Sequence, residues 1–103
     1  MRLQTCLLAL AGLAPLGASA QGQEALYLRS LAATCANCHG TDGRGAAGST
    51  LPAIAGMPRD YLLTQLNAFK AGSRPATIMH QLSKGYSDAQ IEQIAGYFAA
   101  QKK

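Results

Sequence analysis

The sequence predicts an all-α fold: three main helices joined by long loops. Three observations carry that reading. Apolar residues recur at helical spacing in three separate stretches. No segment alternates apolar and polar residues as a half-buried strand does. The connections are long and rich in Gly, Ala, Ser and Thr, and such loops are unusual in a small domain unless something large fills its middle.

The chain has 103 residues, enough for one small domain. Residues 1–20 read as a secretory signal. Arg2 supplies the positive start, residues 7–16 are almost wholly apolar, and Ala18-Ser19-Ala20 is a small-residue cleavage site. The apolar run is broken by Gly12 and Pro15 and is too short to span a bilayer, so no membrane span is expected in the mature form. Cys6 precedes most of that run and is expected to leave with the signal. The mature domain is then residues 21–103, a length that usually needs a staple such as a metal or a disulfide. The formal net charge is +4, or +3 without Arg2. There is no basic block beyond Lys102-Lys103, and the aromatics are two Phe and four Tyr with no Trp, so nucleic-acid binding is not expected.

The first predicted helix covers residues 24–35, where Ala25, Leu28, Leu31, Ala32 and Cys35 share a face. The second covers residues 58–70. Pro58 suits its first turn, Tyr61, Leu62, Leu66 and Phe69 form its stripe, and Gly72 stops it. The third covers residues 87–101. Ser87 and Gln90 have capping-box spacing, Asp88 complements the positive helix end, and Ile91, Ile94, Ala95 and Phe98 form the apolar face. Gly96 in mid-helix costs about 1 kcal/mol against Ala, which a close helix crossing there would explain. Residues 40–57 and 71–85 are loops, the second with a short helical piece near residues 77–84.

The chemistry sits at Cys35-Ala36-Asn37-Cys38-His39, the spacing of covalent haem attachment. Two thiols three residues apart reach the two vinyl groups on one porphyrin edge and form thioethers, and the adjacent imidazole ligates the iron. A redox-active Cys pair would follow a strand in a βαβ unit, which is not predicted here. A zinc site would need further ligands. Haem attachment of this kind takes place outside the cytoplasm, which agrees with a signal and predicts a bacterial periplasmic location. For the sixth iron position the spacing leaves Met57, Met79 and His80 open, with Met79 ahead of His80 and Met57 more in keeping with packing.

At this point the sequence resembles class I cytochromes c. The resemblance lies in Cys35 to Gly40, in Leu51-Pro52-Ala53-Ile54-Ala55-Gly56, in Tyr61-Leu62 and in Phe69-Lys70-Ala71-Gly72. It continues through Leu82, Tyr86-Ser87-Asp88 and Ile94-Ala95-Gly96-Tyr97-Phe98, and so covers essentially all of residues 21–103. Thr77-Ile78-Met79, Lys84-Gly85-Tyr86-Ser87 and Ala95 to Phe98 resemble in particular the haem subunit of flavocytochrome c sulfide dehydrogenase. The halves of periplasmic dihaem cytochromes are similar too, but a second attachment motif is absent. The resemblance implies a small class I fold wrapped around one covalently attached haem c. It implies Met79, seven residues before Tyr86, as the axial methionine. It further implies that the Pro52 carbonyl accepts the Nδ1–H of His39, and that the terminal helix crosses the first helix at Gly96-Tyr97.

The cofactor-binding set is therefore Cys35, Cys38, His39, Met79 and Pro52, with His39 and Met79 on the metal. Leu51, Ile54, Leu62, Leu66, Ile78, Leu82, Ile94 and Phe98 are expected to wall the pocket, and Lys70, Arg74 and Lys84 are candidates for a rim that steers a redox partner protein. The implied activity is single-electron transfer, with no catalysis by this chain alone. The partner is either a sulfide-oxidising flavoprotein that holds the chain as its haem subunit, or a terminal oxidase or reductase served by a freely diffusing carrier. A haem enzyme or gas sensor is the third reading; it requires a displaceable sixth ligand.

Overall fold

The structure is a computed structural model that describes Gly12 and residues 17–103, so most of the predicted signal lies outside the described residues. Among the described residues there are four α-helices, one 3₁₀ turn and no strand. None of these helices is long and apolar enough to cross a membrane.

Helix α1 runs Gly17–His39, longer at both ends than the predicted 24–35. Apolar spacing marks the stretch of a helix that packs, not the stretch that is helical. Residues 20–27 are exposed and carry no proline to break the helix, and Gly22 has open space around it. At the other end, Ala36, Asn37, Cys38 and His39 continue the backbone ladder until Gly40 turns to φ 81°. His39 in the last turn places a basic ring at the negative helix end. The 3₁₀ turn, Thr41–Gly43, follows at once.

Helix α2 spans Arg59–Ala71. Pro58 stands at its N-cap, one position earlier than predicted, and its carbonyl accepts from Leu62 N at 3.0 Å. Gly72, at φ 77°, closes the C-terminus. The short helical piece is α3, Met79–Lys84. Helix α4 spans Asp88–Ala99, capped by Ser87. The Ser87 hydroxyl accepts from Gln90 N at 3.1 Å, and the Gln90 side chain accepts from Ser87 N at 2.9 Å.

Helix α2 packs against both α3 and α4, and α4 packs against α1. The core joins Ala32 of α1, Leu62 of α2, and Ile94, Ala95 and Phe98 of α4; Ile91 is fully buried as well. Each large side chain of this kind contributes about 1.5–3 kcal/mol through burial. The α1–α4 crossing is therefore real, but Gly96 does not make it. A Cβ built at Gly96 meets only the Arg59 side chain, at 3.8 Å, because Gly96 faces the start of α2. The small residues in the core are Ala32 and Ala95, while Tyr97 lies beside Arg29, Ala32 and Ala36.

Replacing Ser87 by Ala removes the capping hydroxyl and is expected to lower stability by about 1 kcal/mol. A shift in the chemical-denaturation midpoint at unchanged slope checks this.

Candidate functional site

The last turns of α1 present Cys35 and Cys38, three residues apart and on one helical face, with His39 next to them. Both thiols are free. The chain then has to double back within a few residues. Gly40 allows it: a Cβ at that position would lie 2.5 Å from the Gly45 carbonyl carbon, too close for any other residue. Gly45 N donates to the His39 carbonyl at 2.7 Å and closes the turn. The returning loop brings Pro52 under the imidazole, and His39 Nδ1 lies 2.7 Å from the Pro52 carbonyl oxygen. That oxygen only accepts, so Nδ1 carries the proton and Nε2 is left with its lone pair free for a metal.

These residues open onto one cavity of about 400 Å³, within the range of small-molecule and cofactor pockets. Cys35, Cys38, His39, Pro52 and Met79 all line it, and so do the eight side chains predicted as its wall. Met57 lines it too. His80 does not; its Nδ1 is buried without a partner elsewhere. Two free thiols, an imidazole with an open lone pair, a thioether and a mainly aliphatic wall are the donor set and surroundings that a covalently tethered haem requires.

Several polar groups stand in the wall where the sequence reading did not place them. Thr34 Oγ1 donates to the Leu31 carbonyl at 3.1 Å, so the Tyr86 hydroxyl, 2.6 Å from Thr34 Oγ1, is the donor between those two. Arg74 donates to Gln65 and lies over the Phe69 ring, 4.6 Å from its centroid. Tyr61 and Ser83 line the cavity too. One signal was available for Ser83: it follows Met79 by four residues and so shares its helical face. Of the three cations read as a steering rim, Lys70 is an internal strut. Its Nζ donates to the Tyr86 carbonyl at 2.7 Å and to Asp88 at 3.0 Å. Arg74 lines the cavity and is exposed, and Lys84 is exposed as well.

Burial pushes the Cys35 thiol above its ordinary pKa, which keeps it protonated. Beyond the cavity, the Tyr97 hydroxyl donates to Asp42 Oδ1 at 2.6 Å and ties the turn after His39 to α4. That bond, helped by Arg44, holds the Asp42 carboxyl below the usual carboxylate range, and it raises Tyr97 above the ordinary tyrosine value. Asp42 adopts φ 52°, a left-handed conformation that Asp tolerates better than most residues.

Residues 25–102 match the family model for cytochrome c. The chain is similar to the cytochrome subunit of sulfide dehydrogenase from Chlorobaculum tepidum, 46% identical over 68 residues, which are 66% of this chain and 60% of that one. It is also similar to the thiosulfate dehydrogenase electron acceptor of Thiomonas intermedia, 38% identical over 71 residues, 69% of this chain and 33% of that one. Among solved structures, the cytochrome c4 of Acidithiobacillus ferrooxidans aligns with a TM-score of 0.59 at 38% identity, covering 64% of this chain and 37% of that one. The matched parts thus amount to about a third to three fifths of these curated relatives.

The Tyr97–Asp42 bond has a pH window. Asp42's lowered pKa makes its contribution present above the ordinary carboxylate range and lost as pH falls through the lowered value. Tyr97's raised pKa makes its contribution present below the ordinary tyrosine range and lost as pH rises through the raised value. In Tyr97→Phe the Asp42 carboxyl is expected to titrate at higher pH than in the parent, read by NMR of its side-chain carbon.

Proposed function

Since this chain belongs to the cytochrome c family, whose members carry covalent haem c and transfer electrons, we propose that it works as a His39/Met79-ligated, periplasmic mono-haem carrier of single electrons. The observation that carries this reading is the convergence of His39 and Met79 on one cavity while His80 stays out of its wall. In this reading Cys35 and Cys38 hold the haem by thioethers, and residues 1–20 are removed on export to leave the domain 21–103. When bound, the haem supplies a one-electron couple at its iron.

The chain's own residues then have three tasks. His39 offers Nε2 to the iron while Pro52 fixes the ring's orientation and increases its basicity. Met79 supplies a thioether that favours the reduced state more than a second imidazole would. Leu51, Ile54, Leu62, Leu66, Ile78, Leu82, Ile94 and Phe98 give the cavity an apolar wall, half-exposed at Leu51, Ile78 and Leu82, so a haem held there would sit in largely apolar surroundings.

For the partner, we favour a sulfide-oxidising flavoprotein with this chain as its haem subunit. The similarity to a sulfide dehydrogenase cytochrome subunit supports that choice. The similarity to a thiosulfate dehydrogenase electron acceptor supports the neighbouring reading, a carrier that docks and leaves.

Two measurements test the proposal. The ferric holoprotein should show the far-red methionine-to-iron charge-transfer band. Met79→Ala should lose it and gain binding of cyanide or carbon monoxide at neutral pH; a parent protein that already binds both readily and lacks the band would refute Met79 ligation. For the partner, the tagged chain should co-purify with a flavin-containing polypeptide and become reduced on addition of sulfide. Elution as a lone monomer, reducible only by an added dehydrogenase, would instead identify a diffusing carrier.

A further inference from the structure

Ser83 is 1% exposed, and its hydroxyl has no hydrogen-bond partner. Leaving such a group unsatisfied is costly, because its hydrogen bonds to water are lost and not replaced. Inside a helix, serine usually avoids the cost by donating to the carbonyl four residues back. For Ser83 that carbonyl belongs to Met79, and the bond is not made. Ser83 instead contributes to the cavity wall, as Met79 does. The two stand four residues apart in α3 and so share a face.

The neighbouring polar side chains of the wall already have partners. Thr34 is bonded to Tyr86, Gln65 to Arg74, and His39 Nδ1 to Pro52. On Ser83's own helical face stand the Met79 sulfur, four residues back, and His80 Nδ1, three residues back and itself without a partner; of the two, only Met79 lines the cavity with Ser83. A thioether that gives one lone pair to a metal keeps a second, and sulfur accepts hydrogen bonds weakly.

Resting on the reading of Met79 as the sixth ligand, we infer that Ser83 is a positioning residue for electron transfer: in the haem-loaded protein its hydroxyl, which has no partner in the structure, donates to the Met79 sulfur and raises the reduction potential of the iron. A hydrogen bond to the sulfur draws electron density from the metal. That disfavours the ferric state more than the ferrous one, and it is one of the ways in which groups behind a ligand set a potential. Ser83 itself moves no electron and keeps its proton.

The experiment compares holoproteins of the parent, Ser83→Ala and Ser83→Thr by spectroelectrochemical titration. The far-red ferric band is recorded alongside as the reporter of methionine ligation. Ser83→Ala is expected to keep the band and to shift the ferric/ferrous equilibrium three- to tenfold toward ferric, ~28 to ~59 mV by the one-electron conversion. Ser83→Thr retains the hydroxyl and should stay within about twofold of the parent by the same conversion. An unchanged potential in Ser83→Ala overturns the inference. A shift of equal size in Ser83→Thr also overturns it, as does loss of the band in Ser83→Ala, which would make Ser83 a packing residue. Absence of the band in the parent is a different failure: it removes Met79 as the ligand before any Ser83 variant is considered.

Discussion

The hydrogen bond from His39 Nδ1 to the Pro52 carbonyl is the constraint around which the rest is arranged. It selects the imidazole tautomer, and it also anchors a long loop with little regular structure of its own. The loop's backbone groups are accounted for on either side of that anchor. The Gly43 carbonyl accepts from both Ile54 N and Ala55 N, at 2.7 and 3.0 Å, and Gly56 N donates to the Phe98 carbonyl at 2.8 Å. The loop is thereby folded back onto the 3₁₀ turn, and its far end is fastened to α4. Gly43 shows how close the packing is, since a Cβ there would lie 2.7 Å from Ile54 and 2.8 Å from Phe98.

Core and cavity share residues. Leu62, Ile94 and Phe98 belong to the buried cluster and also line the cavity. Truncating any of them would alter stability and site together, and such effects do not add in a simple way. The arrangement also accounts for loops so long in so small a domain. They are held against a wall whose other side is the site, and they need no sheet to satisfy them.

Much of this was legible in the sequence. Helical periodicity located the packed face of each main helix, and the Cys-Cys-His spacing located the site. The eight wall residues followed from those two. What stayed hidden shares a physical cause: periodicity reports which side chains are apolar, not what they meet. Gly96 suggested a close crossing because glycine in a helix is costly, yet it faces Arg59 at ordinary contact distance. Lys70 looked like a surface charge, because nothing local shows that its Nζ reaches a carbonyl 16 residues away. The extent of α1 escaped because its exposed residues 20–24 carry no apolar stripe.

The placement of the core has a consequence for how the chain must be made. Among the described residues, Ile91, Ile94, Ala95 and Phe98 of α4 are the majority of the buried apolar side chains, and α4 is the last helix in chain order. Its partners lie in earlier helices, Leu62 in α2 and Ala32 in α1, so completing the core closes loops of roughly thirty and of more than fifty residues, each at an entropic cost. A polypeptide that enters its folding compartment N-terminus first therefore carries its attachment motif from early on but has nothing to fold around until its final helix arrives. A premature stop before residue 88 would then leave an unfolded chain that still bears both thiols, not a smaller version of the domain.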